Sequence, residues 1–187
     1  MAWLTHPDIN EIAQTPGYLF WAPTNLSAEG TWGTKLGFTE KGVDFDPGYN
    51  YGILSGEEKG EEPLHKINLG QTPTITATLK NYNATALDKL FPGLQAGGAV
   101  KSPGTILPGT DLLSATYTGY LLFVPDDTTN HFCILLQRAS PSFIATAKIR
   151  HSHSVPGAFP IVFTGARKTN DADGIYYYGL LSGAVLR

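Results

Sequence analysis

The sequence predicts a mainly β protein, a β-sandwich or half-barrel with one short flanking α-helix. Three observations carry this. Gly (21) and Pro (13) together make up close to a fifth of the 187 residues, leaving many turns and little room for long helices. Threonine is abundant and 11% of residues are aromatic, both of which favour strands. Short apolar runs recur between turn signals, as in an all-β domain. One core suffices at this length. The chain divides into an N-terminal arm, residues 1–16, and a single domain, residues 17–187.

Residues 1–16 carry Pro7 and Pro16 and no period, hence the arm. Gly17–Ala22 reads as a strand that is apolar on both faces. Thr31–Phe38 is a second strand, Gly42–Asp46 continues extended, Pro47-Gly48 signals a turn, and Tyr49–Leu54 makes a short strand. Residues 55–63 have no apolar side chain and hold Glu57, Glu58, Lys59, Glu61 and Glu62, the composition of an exposed acidic loop or hairpin tip. In Thr72–Lys80, Ile75, Ala77 and Leu79 alternate with threonines, the period of a half-buried strand. Asn83 can cap a two-turn helix over residues 83–91, with Leu87, Leu90 and Phe91 on one stripe and Pro92-Gly93 as its stop. Residues 92–114 are a Gly/Pro-rich loop, long enough to be functional or ordered by a partner. Strands follow at Ala115–Val124, His131–Arg138, Ser142–His151, Phe159–Ala166 and Gly174–Leu181, with turns at Pro125-Asp126-Asp127 and Ser140-Pro141. Several strands are apolar on both faces, notably 17–22, 132–136 and 175–181; a monomeric sandwich has polar outer faces, so a second subunit or the helix is expected to cover one sheet.

The net charge is −3, and no basic footprint of the kind that grips nucleic acid or an anionic membrane is visible. The N-terminus lacks a basic start followed by an apolar stretch, so no secretory signal is expected. Apolar runs are too short to span a bilayer as a helix. Cys133 is the single cysteine and sits in an apolar run, which reads as a buried, inert thiol. There is no nucleophile elbow, phosphate-cradling loop or dinucleotide fingerprint. His151 and His153, two apart on a strand, would share a face as metal ligands do, with His65, His131 or Asp126 as third ligand; a polar strand end is the better reading. Asp171 and Asp173 imitate a calcium loop without its remaining ligands and read as a turn. Trp3, Trp21 and Trp32 could line a sugar platform, but Trp21 and Trp32 lie in apolar strands and are expected to pack inward. Neither a catalytic site nor a cofactor or metal site is expected.

The order of the pieces resembles the major tail tube protein of long-tailed bacteriophages and related contractile injection devices. The segment Gly70-Gln-Thr-Pro-Thr-Ile-Thr-Ala-Thr-Leu79, followed by Leu87 and Leu90, is similar to that family's strand-then-helix feature. Phe159-Pro-Ile-Val-Phe-Thr-Gly-Ala-Arg167 resembles its late strand before a variable loop. The likeness spans roughly residues 30–181. It implies six copies in a ring, inner strands joined into one continuous β-barrel, and rings stacked into a virion tube through which DNA passes without specific binding. It also implies a tape-measure protein and terminator or tip proteins as partners, and synthesis in the host bacterial cytoplasm. A terminator or another ring-forming virion component would look similar. Trp3 and Leu4 of the arm, Glu57, Glu58, Lys59, Glu61 and Glu62 of the acidic loop, and Lys101 and Ile106 of the long loop are the expected inter-subunit contacts. The competing reading is a carbohydrate- or receptor-binding β-sandwich module.

Overall fold

The structure, a computed structural model, describes residues 15–39, 41–55, 63–80, 118–143, 159–167 and 174–186. These form ten strands: β1 (Gly17–Trp21), β2 (Thr34–Thr39), β3 (Val43–Asp46), β4 (Tyr49–Ser55), β5 (Pro63–Gln71), β6 (Thr74–Leu79), β7 (Gly119–Pro125), β8 (Cys133–Phe143), β9 (Phe159–Gly165) and β10 (Tyr176–Gly179). All pairings are antiparallel. The described helical residues are two single 3₁₀ turns, Glu29–Thr31 and Leu181–Gly183. The fold is therefore mainly β, as the composition predicts. The expected helix over 83–91, the loop over 92–114 and residues 1–14 of the arm lie outside the described residues.

The main sheet runs β2-β1-β7-β8-β9-β6-β3, and β10 prolongs the line of β9 along β8. β2 and β3 are two halves of one bent strand, joined where Gly42 N–H donates to the Thr39 carbonyl at 3.3 Å. β2 also touches β6, because Lys80 N–H donates to the Phe38 carbonyl at 3.0 Å. β2, at one end of the strand order, thus meets β6 near the other, and the sheet curls back on itself as a barrel. Closure of this kind leaves the wall strands with few open edges.

Period-2 alternation sorts β1, β7 and β8 between two cores, while β6 and β9 contribute to the inner one alone. Leu19 and Trp21, Leu121 and Phe123, Ile134 and Leu136, and Ile75, Ile161 and Phe163 point into the barrel. Trp21 meets Phe163 across it, ring centroids 6.0 Å apart. Phe20, Leu122, Val124, Cys133 and Leu135 point outward into a second buried cluster. That outer face is covered by the chain itself. Leu26 and Trp32 close it from the loop after β1, with Trp32 edge-on to Phe20 at 5.3 Å and its indole N–H donating to the Leu26 carbonyl at 3.1 Å. Tyr177, Leu181 and Leu186 close it from the C-terminal segment, which buried Gln137 pins by donating to the Val185 carbonyl at 2.9 Å.

Two expectations are corrected here. Strands apolar on both faces do not leave this face for another subunit, because the loop after β1 and the C-terminal segment fold over it. Ser140-Pro141 is not a turn: β8 runs through it to Phe143, with Pro141 opposite Phe163 of β9. The β7 ladder ends at Ala139, so among the described residues no strand pairs with that side of β8 at Pro141, where a missing N–H is tolerated.

Phe163→Ala is expected to lower stability by about 3–5 kcal/mol, since it empties the barrel centre. Ile53→Ala, at a position 66% exposed, should change it by less than about 0.5 kcal/mol. Urea unfolding of both variants measures the contrast.

Candidate functional site: a projecting hairpin and an aromatic mouth

β3 and β6 form a ribbon that continues out of the barrel wall as the β4–β5 hairpin. The junction is a bend at Pro47-Gly48 and Thr72-Pro73. Asp46 Oδ1 accepts from Gly48 N–H at 2.8 Å, and Thr72 N–H donates to the Gly48 carbonyl at 3.0 Å. Gly48 has φ +59°, and a Cβ there would collide with the Thr72 carbonyl oxygen, so both conformation and space demand glycine.

The hairpin pairs Tyr49 with Gln71, Asn50 with Gly70, Tyr51 with Asn68, Gly52 with Ile67 and Ile53 with Lys66. The register slips between Asn50 and Tyr51, leaving Leu69 as the extra residue of a bulge. Asn68 Oδ1 holds the bulge by accepting from Gly70 N–H at 3.0 Å, and Gly70 has φ +140°. The register assigns the faces. Tyr49, Tyr51, Ile53 and Lys66 share one: the two tyrosine rings stack at 6.0 Å, and the Lys66 ammonium lies 3.8 Å from the Tyr51 centroid. Ile67 and Leu69 lie on the other, with Leu69 reaching over Gly52. Both faces are apolar and open: Ile53 is 66% and Leu69 69% exposed, and Tyr49, Tyr51 and Ile67 are exposed as well.

The tyrosine face leads into the mouth of the barrel. The Tyr49 and Tyr176 hydroxyls are 2.9 Å apart in a hydrogen bond. Tyr176 meets Phe45 edge-on at 5.0 Å, Phe45 stacks with Tyr178 at 5.9 Å, and Tyr178 meets Phe132 edge-on at 5.2 Å. Phe45 and Tyr176 rest on the inner core, whereas Tyr178 and Phe132 are about half exposed. An aromatic ladder therefore joins β4, β10, β3 and the start of β8. Aromatic contacts of this geometry add about 0.5–1.5 kcal/mol each beyond the area they bury. Burial pushes the Tyr176 hydroxyl up to about 12, and the hydrogen bond with Tyr49 adds to the effect.

Elsewhere the chemistry is sparse. Among the described residues no group of three or more His, Cys, Asp or Glu could hold a metal ion. Burial raises the Cys133 thiol to about 11, so it is protonated and a poor nucleophile at neutral pH. Asp127 caps the turn before β8: its carboxylate accepts from Asn130 Nδ2 at 2.9 Å and Thr129 N–H at 2.9 Å, which holds it below the usual carboxylate value. An open cleft of about 650 Å³ lies between the loop after β1 and the C-terminal segment. Its Asn25 side chain is already engaged by the N–H and hydroxyl of Ser27.

Trp3, Leu4, Glu57, Glu58, Lys59, Glu61, Glu62, Lys101 and Ile106, the residues the sequence offered as contacts, all lie outside the described residues, as do His151, His153, Asp171 and Asp173. The acidic run 56–62 does fall between two strands that pair with each other. Trp21 packs into the barrel core, as expected, whereas Trp32 follows the 3₁₀ turn rather than lying in a strand and rests, half-buried, on the outer cluster. The residues that reasoning from sequence missed are Tyr49, Tyr51, Ile67 and Leu69 together with the ladder. A usable signal existed: alternating Tyr49, Tyr51, Ile53 before the acidic run is mirrored by Ile67 and Leu69 after it. No protein-family model matches the chain, and no curated protein matches it.

The hydroxyl pair gives the hairpin base a pH dependence. A tyrosine raised in the folded state supports the fold fully below its ordinary value of 10.0 and loses that support as pH climbs toward about 12. Protection of the β4–β5 amides against hydrogen exchange, corrected for the intrinsic rate, is expected to drop across this window. In Tyr176→Phe it should be weaker at neutral pH and lack the alkaline step.

Proposed function

We propose that this chain is a structural protein whose copies associate into stacked rings, forming the tail tube of a long-tailed bacteriophage through which DNA passes. One observation carries the reading: the β4–β5 hairpin stands out from the barrel with apolar side chains on both faces and, among the described residues, no strand along either outer edge. An isolated two-stranded hairpin is marginal in water. Open edges pair with strands of other chains unless something blocks them. A hairpin with two free edges has room for a neighbour on each side, so identical copies complete one another around a ring. Exposed apolar patches of this kind mark association surfaces.

The sequence supports the same reading. The segments that resemble the tail tube family, Gly70–Leu79 and Phe159–Arg167, contain β6 and β9, neighbours in the sheet. The net charge of −3 suits a lumen that lets phosphate slide rather than bind. Six copies per ring, and a tape-measure protein with terminator and tip proteins as partners, follow from that resemblance. The second reading, a carbohydrate- or receptor-binding module, has one observation in its favour: half-exposed Tyr178 and Phe132 at the barrel mouth could stack on a sugar.

Concentrated protein is expected to show rings or tubes on the order of 100 Å wide by negative-stain microscopy, the size of several small domains around a pore. A variant with residues 52–68 replaced by a two-residue turn should keep its barrel, seen by circular dichroism, and sediment as a monomer. Full-length chain that stays monomeric at high concentration, even when seeded, would refute the proposal.

A further inference from the structure

The two covers over the outer face of the barrel are built differently. The loop after β1 is tied to itself. Thr24 N–H donates to the Thr31 carbonyl at 3.0 Å, Ser27 N–H donates to Asn25 Oδ1 at 2.9 Å, and the Trp32 indole closes on Leu26, which is buried. The second cover, residues 180–186, is a single 3₁₀ turn, Leu181–Gly183, that passes at Ala184 into extended backbone. None of its residues is buried; Leu181, Ala184 and Leu186 rest half-buried on the outer cluster. One flank borders the open cleft of about 650 Å³ and is not packed.

Among the described residues, two hydrogen bonds from the barrel hold this segment, one near each end. The Tyr177 hydroxyl donates to the Leu180 carbonyl at 2.9 Å, and Gln137 Nε2 donates to the Val185 carbonyl at 2.9 Å. Between these pins the chain is fitted around the Tyr177 hydroxyl. A Cβ at Gly179 or at Gly183 would stand 2.6 Å from that oxygen. Neither glycine has a positive φ, so space and not conformation calls for them.

We propose that residues 180–186 form a strap, seated around the Tyr177 hydroxyl, that opens as a unit while the barrel stays folded, uncovering the outer cluster and widening the cleft beside it. The free energy of a local opening is set by the contacts it breaks. Here these are two hydrogen bonds and the packing of three half-buried side chains, and no ladder bond of the sheet is among them. The barrel core lies on the opposite face of β7 and β8 and keeps its contacts. The loop after β1 also stays, with Trp32 on Phe20. Opening is a property of the single chain and does not depend on association between copies.

Cys133 reports the opening. It is the single thiol, is fully buried in the outer cluster, and lies opposite Gly179, where the strap begins. Alkylation of this thiol by iodoacetamide is followed by mass spectrometry in dilute protein, at fixed pH and at urea concentrations below the unfolding transition. Labelling is expected to be faster than global unfolding allows, and to rise with urea far less steeply than the unfolding constant, because strap opening exposes little surface. Gly183→Ala, which overpacks against Tyr177, should speed labelling about tenfold. Gln137→Leu, which removes the far pin, should speed it about fivefold. In Tyr177→Phe the hydroxyl that a Cβ would meet is gone, so adding Gly183→Ala should change the rate by less than about twofold. Near-ultraviolet circular dichroism matching wild type verifies the barrel in each variant. Labelling that follows global unfolding in both rate and urea slope overturns the inference. So does labelling that Leu26→Ala, in the other cover, speeds while Gly183→Ala and Gln137→Leu leave it unchanged. A Gly183→Ala effect as large in Tyr177→Phe as in wild type removes the seat at Tyr177 and overturns it as well.

Discussion

A strand must find a neighbour for each of its edges, and this requirement organises the molecule. In the barrel it is met internally. The hydrogen bond from Lys80 N–H to the Phe38 carbonyl brings β6, next to one end of the sheet, back to β2 at the other. The central wall strands β1, β7 and β8 then have partners on both edges, and their two faces are apolar, one toward the barrel interior and one toward the covering segments. In the hairpin the requirement is not met. β4 and β5 satisfy each other and, among the described residues, nothing else. The contrast lies in one ribbon. β3 and β6 belong to the wall, and two residues beyond them, past the bend at Gly48, the same two chains have left it.

What the sequence made legible follows from how local each signal is. The strand at Thr74–Leu79 was readable because threonine and aliphatic residues alternate without interruption and one face is buried. The turn at Asp126-Asp127 was readable because its hydrogen bonds are made by residues within the turn. β5 was obscured. It follows the acidic run, and its alternation is broken by the bulge at Leu69, so neither a clean period nor a clean boundary shows. The ladder was illegible for a different reason. Phe45, Tyr49, Phe132, Tyr176 and Tyr178 come from distant parts of the chain, and only the sheet order brings them together. Of the strands expected to be covered on both faces, β1 and the start of β8 are, while 175–181 leaves Tyr178 and Leu180 exposed; sequence could not say that the second cover came from Trp32 and the C-terminal segment.

The division between barrel and hairpin also separates stability from association. The largest buried side chains, Phe163, Leu136 and Leu19 among them, belong to the barrel strands. A domain with a core of this kind keeps its shape whether or not a neighbour is present. The hairpin contributes exposed apolar side chains and, among the described residues, pairs only within itself. On the proposed reading, substitutions there act on assembly, substitutions in the barrel act on folding, and the two can be read independently.

That separation sets how association responds to concentration. An element that is marginal alone must be ordered when it docks, and this cost is subtracted from the contact energy of the first encounter. A second neighbour meets a hairpin already held along one edge and bears less of the cost, which is positive cooperativity without any change of fold. On the proposed reading of stacked rings, growth is then harder to start than to continue, and free chain persists until its concentration crosses a threshold. The aromatic ladder fits this scheme because it grips the base of the hairpin in the single chain. The Tyr49–Tyr176 hydrogen bond and the stack of Tyr49 on Tyr51 set the direction in which the hairpin leaves the barrel. With its direction set and, among the described residues, no strand along either outer edge, the hairpin is aimed but, on the proposed reading, incomplete until a neighbouring copy pairs with it.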